Sequence, residues 1–373
     1  MREMRIGGKQ LFWLMAVMQS GMTILLTVNP AVMAAGRDAW LSTAAAGLLG
    51  VLSAFVHARV NRRFPRQTLV DFAGRIVGKG VAQAIILLYL LFWYVVLAMI
   101  LRQYTEFILS TILPSTPLLV PLVLLLLVGV YVTVMGIEAL ARCAELFGPF
   151  ILLGIFVPLL LTADDMDMGN VLPVYADSGW MTIMQGSLPT LSFLGDCVIM
   201  WMLYAFVPEG HKGPKYVMLG VGISGFLTCA AAFLAIGVMG EGQSANITYP
   251  YFNLIRNTSY FDFVQNLDSL VIAIWIVSVF VKVSLYLFAC AYGTAQWLKV
   301  RRWRRTLWFV APAVFVISLI PRDFVESSVL FPQKIAIPYI LPIHVFGIPL
   351  LLWAIAAKRG ASERASREPA GKN

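Results

Sequence analysis

Ten long apolar stretches, joined by short polar segments, leave this chain few ways to fold. They run over about 10–35, 40–57, 81–113, 118–136, 143–161, 181–207, 216–239, 267–298, 307–320 and 335–356. A hydrocarbon layer about 30 Å thick is crossed by a helix rising about 1.5 Å per residue, and most of these stretches suffice. Within such a layer every backbone N–H and C=O needs a partner inside the protein, which a helix supplies by itself. The chain therefore reads as an all-α polytopic membrane protein with about ten transmembrane helices. Charged residues make up 13% of the 373, about half the share of a soluble domain.

The charges that remain are unevenly placed. With the N-terminus in the cytoplasm, 22 of the 28 Lys and Arg residues fall in cytoplasmic segments, and only Arg37, Arg256, Arg322 and Lys334 fall outside. Arg102 and Lys282 lie within spans. This is a strong positive-inside bias, and it predicts an even span count with both termini cytoplasmic. It also accounts for the net charge of +9 without nucleic acid as a partner. Asp164, Asp165, Asp167 and Asp177 share one outside loop. The cysteines (Cys143, Cys197, Cys229, Cys290) lie far apart and read as small buried hydrophobes. Neither a metal site nor a cofactor is expected.

The segment Gln265–Gln296 carries the most unusual charge. Asp268 opens it, where a helix N-terminus favours an anion. Lys282 follows fourteen residues later, roughly 21 Å along a helix and near mid-membrane. A lysine there costs roughly 3 kcal/mol or more unless a partner or water meets it. Span 6 supplies a candidate. Asp196 sits beside Gly195, below Pro189, at a depth matching that of Lys282. An Asp196–Lys282 pair would relieve the cost of both charges, either as a static brace or as a switch.

Other interruptions mark span 1. Gln19, Ser20, Gly21, Met22 and Thr23 break its apolar run, and Asn29-Pro30 adds a second break. Small and hydroxyl residues weaken a helix and offer hydrogen bonds. Span 1 is thus either a kinked structural helix or an unwound segment facing a ligand. Arg102 and Glu106 are four apart in span 3 and can pair, as can Arg142 and Glu145 near the start of span 5. Leu69, Phe72, Ala73 and Ile76 predict a short interfacial helix. The aromatic loop 240–266 reads as a lid over the outer vestibule, and three prolines (Pro338, Pro342, Pro349) predict a bent span 10.

Spans 1 and 6 open two blocks of five, so the second block has inverted topology. Paired broken helices at corresponding positions of inverted halves point to a transporter-type site near the midplane. The expected architecture is a 5+5 inverted repeat (LeuT-like) with helices 1 and 6 broken. It forms one transmembrane domain over 1–357, with repeats at 10–161 and 181–356 and a disordered cytoplasmic tail at 358–373. Spans 1, 3, 6 and 8 would enclose the site. The candidate ligand-binding residues are Ser20, Gly21, Met22, Thr23, Tyr94, Phe193, Gly195, Asp196 and Lys282. A proton or ion path would draw on Glu106, Asp196 and Lys282.

GRDAWLS at 36–42, RFPRQTLVDFAGRIVGKG at 63–80, RCAELFGPF at 142–150 and the segment 265–291 resemble the B subunit of GerA-type spore germinant receptors. The likeness covers about 5–357. That family is similar to the amino acid/polyamine/organocation transporters. The resemblance implies a multi-pass protein of the endospore inner membrane that senses a nutrient such as an amino acid or sugar. It also implies an A subunit and a C-subunit lipoprotein as partners. Sodium-coupled relatives of the fold bind a cation between helices 1 and 8, near where Lys282 would place an ammonium.

Three functions fit this reading: a nutrient-sensing subunit, a secondary transporter of amino acids or similar solutes, with proton coupling as one form of it, and an ion or water conduit. A membrane enzyme is the weakest option, because His57, His211 and His344 are scattered and no nucleophile–base pair or phosphate loop appears.

Overall fold

A computed structural model describes residues 4–175, 178–208, 213–257 and 267–365. The chain begins with α1 (Gly8–Ala35) and α2 (Ala39–Asn61), joined at Gly36. Gly36 takes a positive φ of 55°, which a glycine adopts without strain, and its N–H returns to Val32 O. After α2 come the short α3 (Leu69–Val77), the long α4 (Lys79–Thr111), α5 (Leu119–Met135) and α6 (Ile137–Leu161). The second half holds α7 (Gly179–Leu194), α8 (Met200–Leu203), α9 (Gly213–Asn246), α10 (Pro250–Asn257), α11 (Leu267–Trp297) and α12 (Leu307–Ser318). π-Helical turns over 325–347 lead into α13 (Ile348–Ala365).

Seven helical stretches are long and apolar enough to cross a membrane, and the first of them, Gly8–Asn61, holds both α1 and α2. The shorter α5 and α12 bring the described spans to the expected ten. α3 is a short helix where one is expected. Its Leu69, Phe72, Ala73 and Ile76 are buried, and Thr68 and Asp71 cap its start. Asp71 also meets Gln296 of α11, tying this helix to the end of span 8.

Span 6 breaks where expected. α7 passes Pro189 without interruption and stops at Leu194. The chain tightens into 3-10 turns over Gly195–Ile199, makes one α-turn, and tightens again at Tyr204–Phe206. Such tightening frees carbonyls of the preceding turn. Gln19 of α1 takes one of them, donating from Nε2 to Leu194 O at 2.9 Å.

Span 1 departs from expectation: α1 is one continuous helix, and Gln19–Thr23 do not unwind. Their polar groups serve its neighbours instead. Gln19 reaches the α7 break, and Ser20 Oγ donates to Ala16 O and lies 2.9 Å from Ser224 Oγ of α9. Gly21 makes room for α11, because a Cβ there would sit 2.5 Å from Ser278 Oγ. Ser278 Oγ in turn donates to Val17 O at 2.6 Å. Asn29, beside Pro30, donates to the carbonyls of Ser244, Ala245 and Ile247, holding the end of α9.

Other details also shift. Arg142 lies 3.8 Å from Glu138, one turn earlier, rather than with Glu145, which accepts from Gln10 Nε2. α6 starts before position 143, so Glu138 is within reach. Span 10 widens into π-helix around Pro338 and Pro342. Prolines there remove the donors that an ordinary α-ladder requires. α13 continues to Ala365, past the tail boundary set at 358; residues 366–373 lie outside the described residues. The Asp268 side chain and residues 258–266 of the expected lid also lie outside them. The described part of that loop does fold inward. Tyr249, Tyr251, Phe252, Leu254 and Ile255 are buried, and Tyr249 and Phe252 pack against Phe107 of α4. Burial pushes the Tyr249 and Tyr251 phenols above their ordinary range.

Candidate functional site

The 3-10 turn after α7 carries Asp196 into the core, and α11 brings Lys282 to it. Lys282 Nζ lies 2.6 Å from Asp196 Oδ2, and both side chains are almost wholly buried. Continuous α11 supplies a rigid mount for the ammonium, while the irregular Gly195–Ile199 turn aims the carboxylate. The Phe193 ring centroid lies 5.2 Å from the ammonium, within reach of a cation–π attraction. Tyr286, one helical turn below Lys282, sets its hydroxyl beside Asp196. The contact with Asp196 is an ion pair by distance, and by angle the ammonium makes no well-oriented hydrogen bond among the described residues.

The pair borders a cavity of about 40 Å³ lined by Phe193, Asp196, Lys282, Gln103, Phe92 and Leu341, among others. That is room for a few waters at about 10–15 Å³ each, and far below the roughly 300 Å³ of a typical ligand pocket. A second apolar void of about 20 Å³ lies nearby, against Gly21, Trp275 and Ser278. The described state is therefore closed around its buried charges.

The side bearing Arg322 is sealed by polar contacts. Arg102 Nε donates to Glu106 at 2.6 Å and its Nη2 to Arg322 O at 2.8 Å, while Gln103 Nε2 donates to Ser327 O at 3.0 Å. Two side chains of α4, Arg102 and Gln103, thus bind the chain ahead of span 10, and Glu106 holds Arg102 in place. The basic face differs. A vestibule of about 540 Å³ opens there between Arg5, Arg66, Phe206, Tyr292, Lys299 and Trp303. Phe206, Phe288, Tyr292 and Trp303 form an aromatic cluster on its wall. Arg102→Gln is expected to loosen the seal, costing about 1.5–3 kcal/mol for lost hydrogen bonds to charge. Labelling of Ser192→Cys, on the cavity wall, by an impermeant maleimide should then accelerate from the Arg322 side. An unchanged rate would show that the contact is not a seal.

Of the sequence candidates, the structure brings Phe193, Asp196 and Lys282 to one cavity. Gly21 borders the neighbouring void, and Gly195 packs against Val345. Ser20 turns to α9, and Tyr94 sits 3.0 Å from Thr294 Oγ1, away from the cavity lining. Met22 and Thr23 are buried in α1 and absent from both linings. Glu106 pairs with Arg102 rather than with the midplane charges. Sequence reasoning missed Gln103, Leu341 and Tyr286. Only Tyr286 left a signal, four residues after Lys282 and so on the same helix face.

Known proteins resemble this chain in fold and in sequence. The fold resembles Mhp1, a nucleobase-cation-symport-1 family transporter solved in a closed conformation with bromovinylhydantoin bound. The TM-score is 0.61 at 13% identity, covering 86% of this chain and 73% of that one. Spore germination protein KB of Bacillus subtilis is 26% identical over the whole of both chains. Spore germination protein YndE of the same organism is 23% identical, covering 88% of this chain and 89% of its own. The family model described as spore germination protein matches residues 5–326. With most of its length matched and its helices arranged as in a transporter, this chain belongs to the spore germination protein family of permease-like membrane proteins.

Proposed function

We propose that this chain is the nutrient-sensing membrane subunit of a spore germination receptor and binds a small solute, such as an amino acid, at the Asp196–Lys282 cavity. The observation that carries this reading is a buried ion pair placed at a helix break beside a closed, water-sized cavity. An amino acid offers the same two charges: its carboxylate would meet Lys282 and its ammonium Asp196. Exchange of one pair for the other keeps both buried charges partnered. The solute needs more room than 40 Å³, so the irregular turns at 195–206 and the π-helical segment must move apart to admit it. A ligand that takes such an equilibrium from about 1:99 to 99:1 must favour the open form by roughly 5.5 kcal/mol. That movement is the signal passed to partners.

In this reading the basic face and both termini lie in the cytoplasm, which the positive-inside bias supports, and the protein lies in the endospore inner membrane, which membership of the family supports. An A subunit and a C-subunit lipoprotein are the expected readers of the movement. Deletion of this gene should abolish germination toward one nutrient class and spare others, and complementation should restore it. Spores whose response to every nutrient in a broad amino acid and sugar panel survives the deletion would rule the reading out. Steady solute accumulation by proteoliposomes carrying the protein alone would instead favour a secondary transporter.

A further inference from the structure

We propose that a groove between α2 and α9, at the basic face, binds the phosphate headgroup of an anionic phospholipid. The groove encloses about 430 Å³ and is lined by Phe55, Arg59, Arg62, Lys215, Met218 and Leu219, among others. α2 and α9 approach closely at Gly47 and Gly225, and the groove opens beyond that crossing, toward the basic ends of both helices. Three cations from two different helices thus converge on one concave surface.

Among the described residues these cations lack the carboxylate partners that some other surface cations have. Arg37 pairs with Glu241, Arg142 with Glu138 and Arg322 with Glu326. Arg59, Arg62 and Lys215 have no carboxylate at ion-pair distance among the described residues. The Arg59 guanidinium instead lies 4.5 Å over the Phe55 ring, which holds it at the groove wall. Lys215 stands in the first turn of α9, whose free N–H groups and dipole add positive potential. An anion of modest size would satisfy all three.

The apolar surroundings select a lipid over a soluble anion. Leu48 and Leu52 of α2, and Leu219 and Phe226 of α9, are exposed along the faces that run from the groove toward the membrane interior. A headgroup held by the arginines and lysine would lay its acyl chains along this ridge. Basic pockets between transmembrane helices at a membrane surface are suited to such headgroups. Both helices also pack on α1 and α7, so a bound lipid would brace the elements that support the Asp196 break from the membrane side.

The test uses the full-length protein in detergent, titrated with cardiolipin, phosphatidylglycerol or phosphatidylcholine and read by native mass spectrometry. The anionic lipids should be retained over phosphatidylcholine. The triple variant Arg59→Gln, Arg62→Gln, Lys215→Gln should weaken that retention on the order of 100-fold, as three interfacial cations would. A control triple, Arg301→Gln, Arg302→Gln, Arg305→Gln, should leave it unchanged. Equal loss in both triples would mean diffuse charge rather than a site, and no loss in the first would overturn the proposal. Inorganic phosphate that fully displaces the lipid would assign the site to a free anion and likewise overturn it. Lipid preference and phosphate competition are read on the wild-type protein, so they remain decisive if a variant fails to fold.

Discussion

Lys282→Met should destabilise the protein by about 3–5 kcal/mol, the usual consequence of leaving one partner of a buried pair without the other. The stranded group is Asp196, which is 5% exposed and would keep the Tyr286 hydroxyl beside it in place of an opposite charge. Removing both charges should restore most of the loss. Lys282→Met with Asp196→Leu replaces the pair by apolar groups of similar volume, and such replacements are often neutral or stabilising. Thermal unfolding of the purified proteins in detergent would measure the two single variants and the double variant as a cycle. If the double variant is no more stable than the worse single one, the two charges are not coupled and the geometry at 2.6 Å has no energetic meaning.

Gly225→Val is the second large effect. A Cβ at 225 would stand 2.7 Å from Gly47 Cα, a backbone atom that cannot turn aside. α2 and α9 would have to separate along a crossing against which α1 and, chiefly through α2, α7 are packed. Overpacking of this kind costs about 1–3 kcal/mol, and here the backbone leaves little room to relax. Gly222→Ala, one turn away, is the control: its Cβ would meet Val51 Cγ2 at 3.5 Å, an ordinary contact. Gly225→Val should melt well below wild type and Gly222→Ala close to it. Equal melting of the two would mean that the close approach does not constrain the helices.

Much of this molecule was legible in its sequence because the membrane penalises mistakes so heavily. Ten spans follow from hydropathy, and the Asp196–Lys282 pair followed from depth alone, since two charges at one level of a bilayer have strong reason to meet. Depth carries no rotation, however. Tyr94 shares the interior of α4 with the cavity residues but turns to Thr294, and nothing in its spacing distinguishes that face from another. Helix 1 failed for a related reason. Its polar run Gln19–Thr23 looked like unwound backbone, yet these side chains serve a neighbour's break and a neighbour's close approach while their own helix stays intact. Polar residues in a span show that hydrogen bonds are made, and only tertiary structure shows whose. The π-helical widening at 325–347 has the same character: its prolines announced irregularity without choosing between a bend and a wider turn.

Calorimetric binding of single nutrients to purified wild-type protein and to the Lys282→Met/Asp196→Leu double variant tests the central claim most directly. The wild type should bind at least one nutrient from the class whose germination response depends on this gene. The double variant should melt close to wild type and bind that nutrient at least tenfold more weakly. Equal affinity in two equally stable proteins would contradict the account and place the solute elsewhere, with the apolar void beside Gly21, Trp275 and Ser278 as the next position to examine.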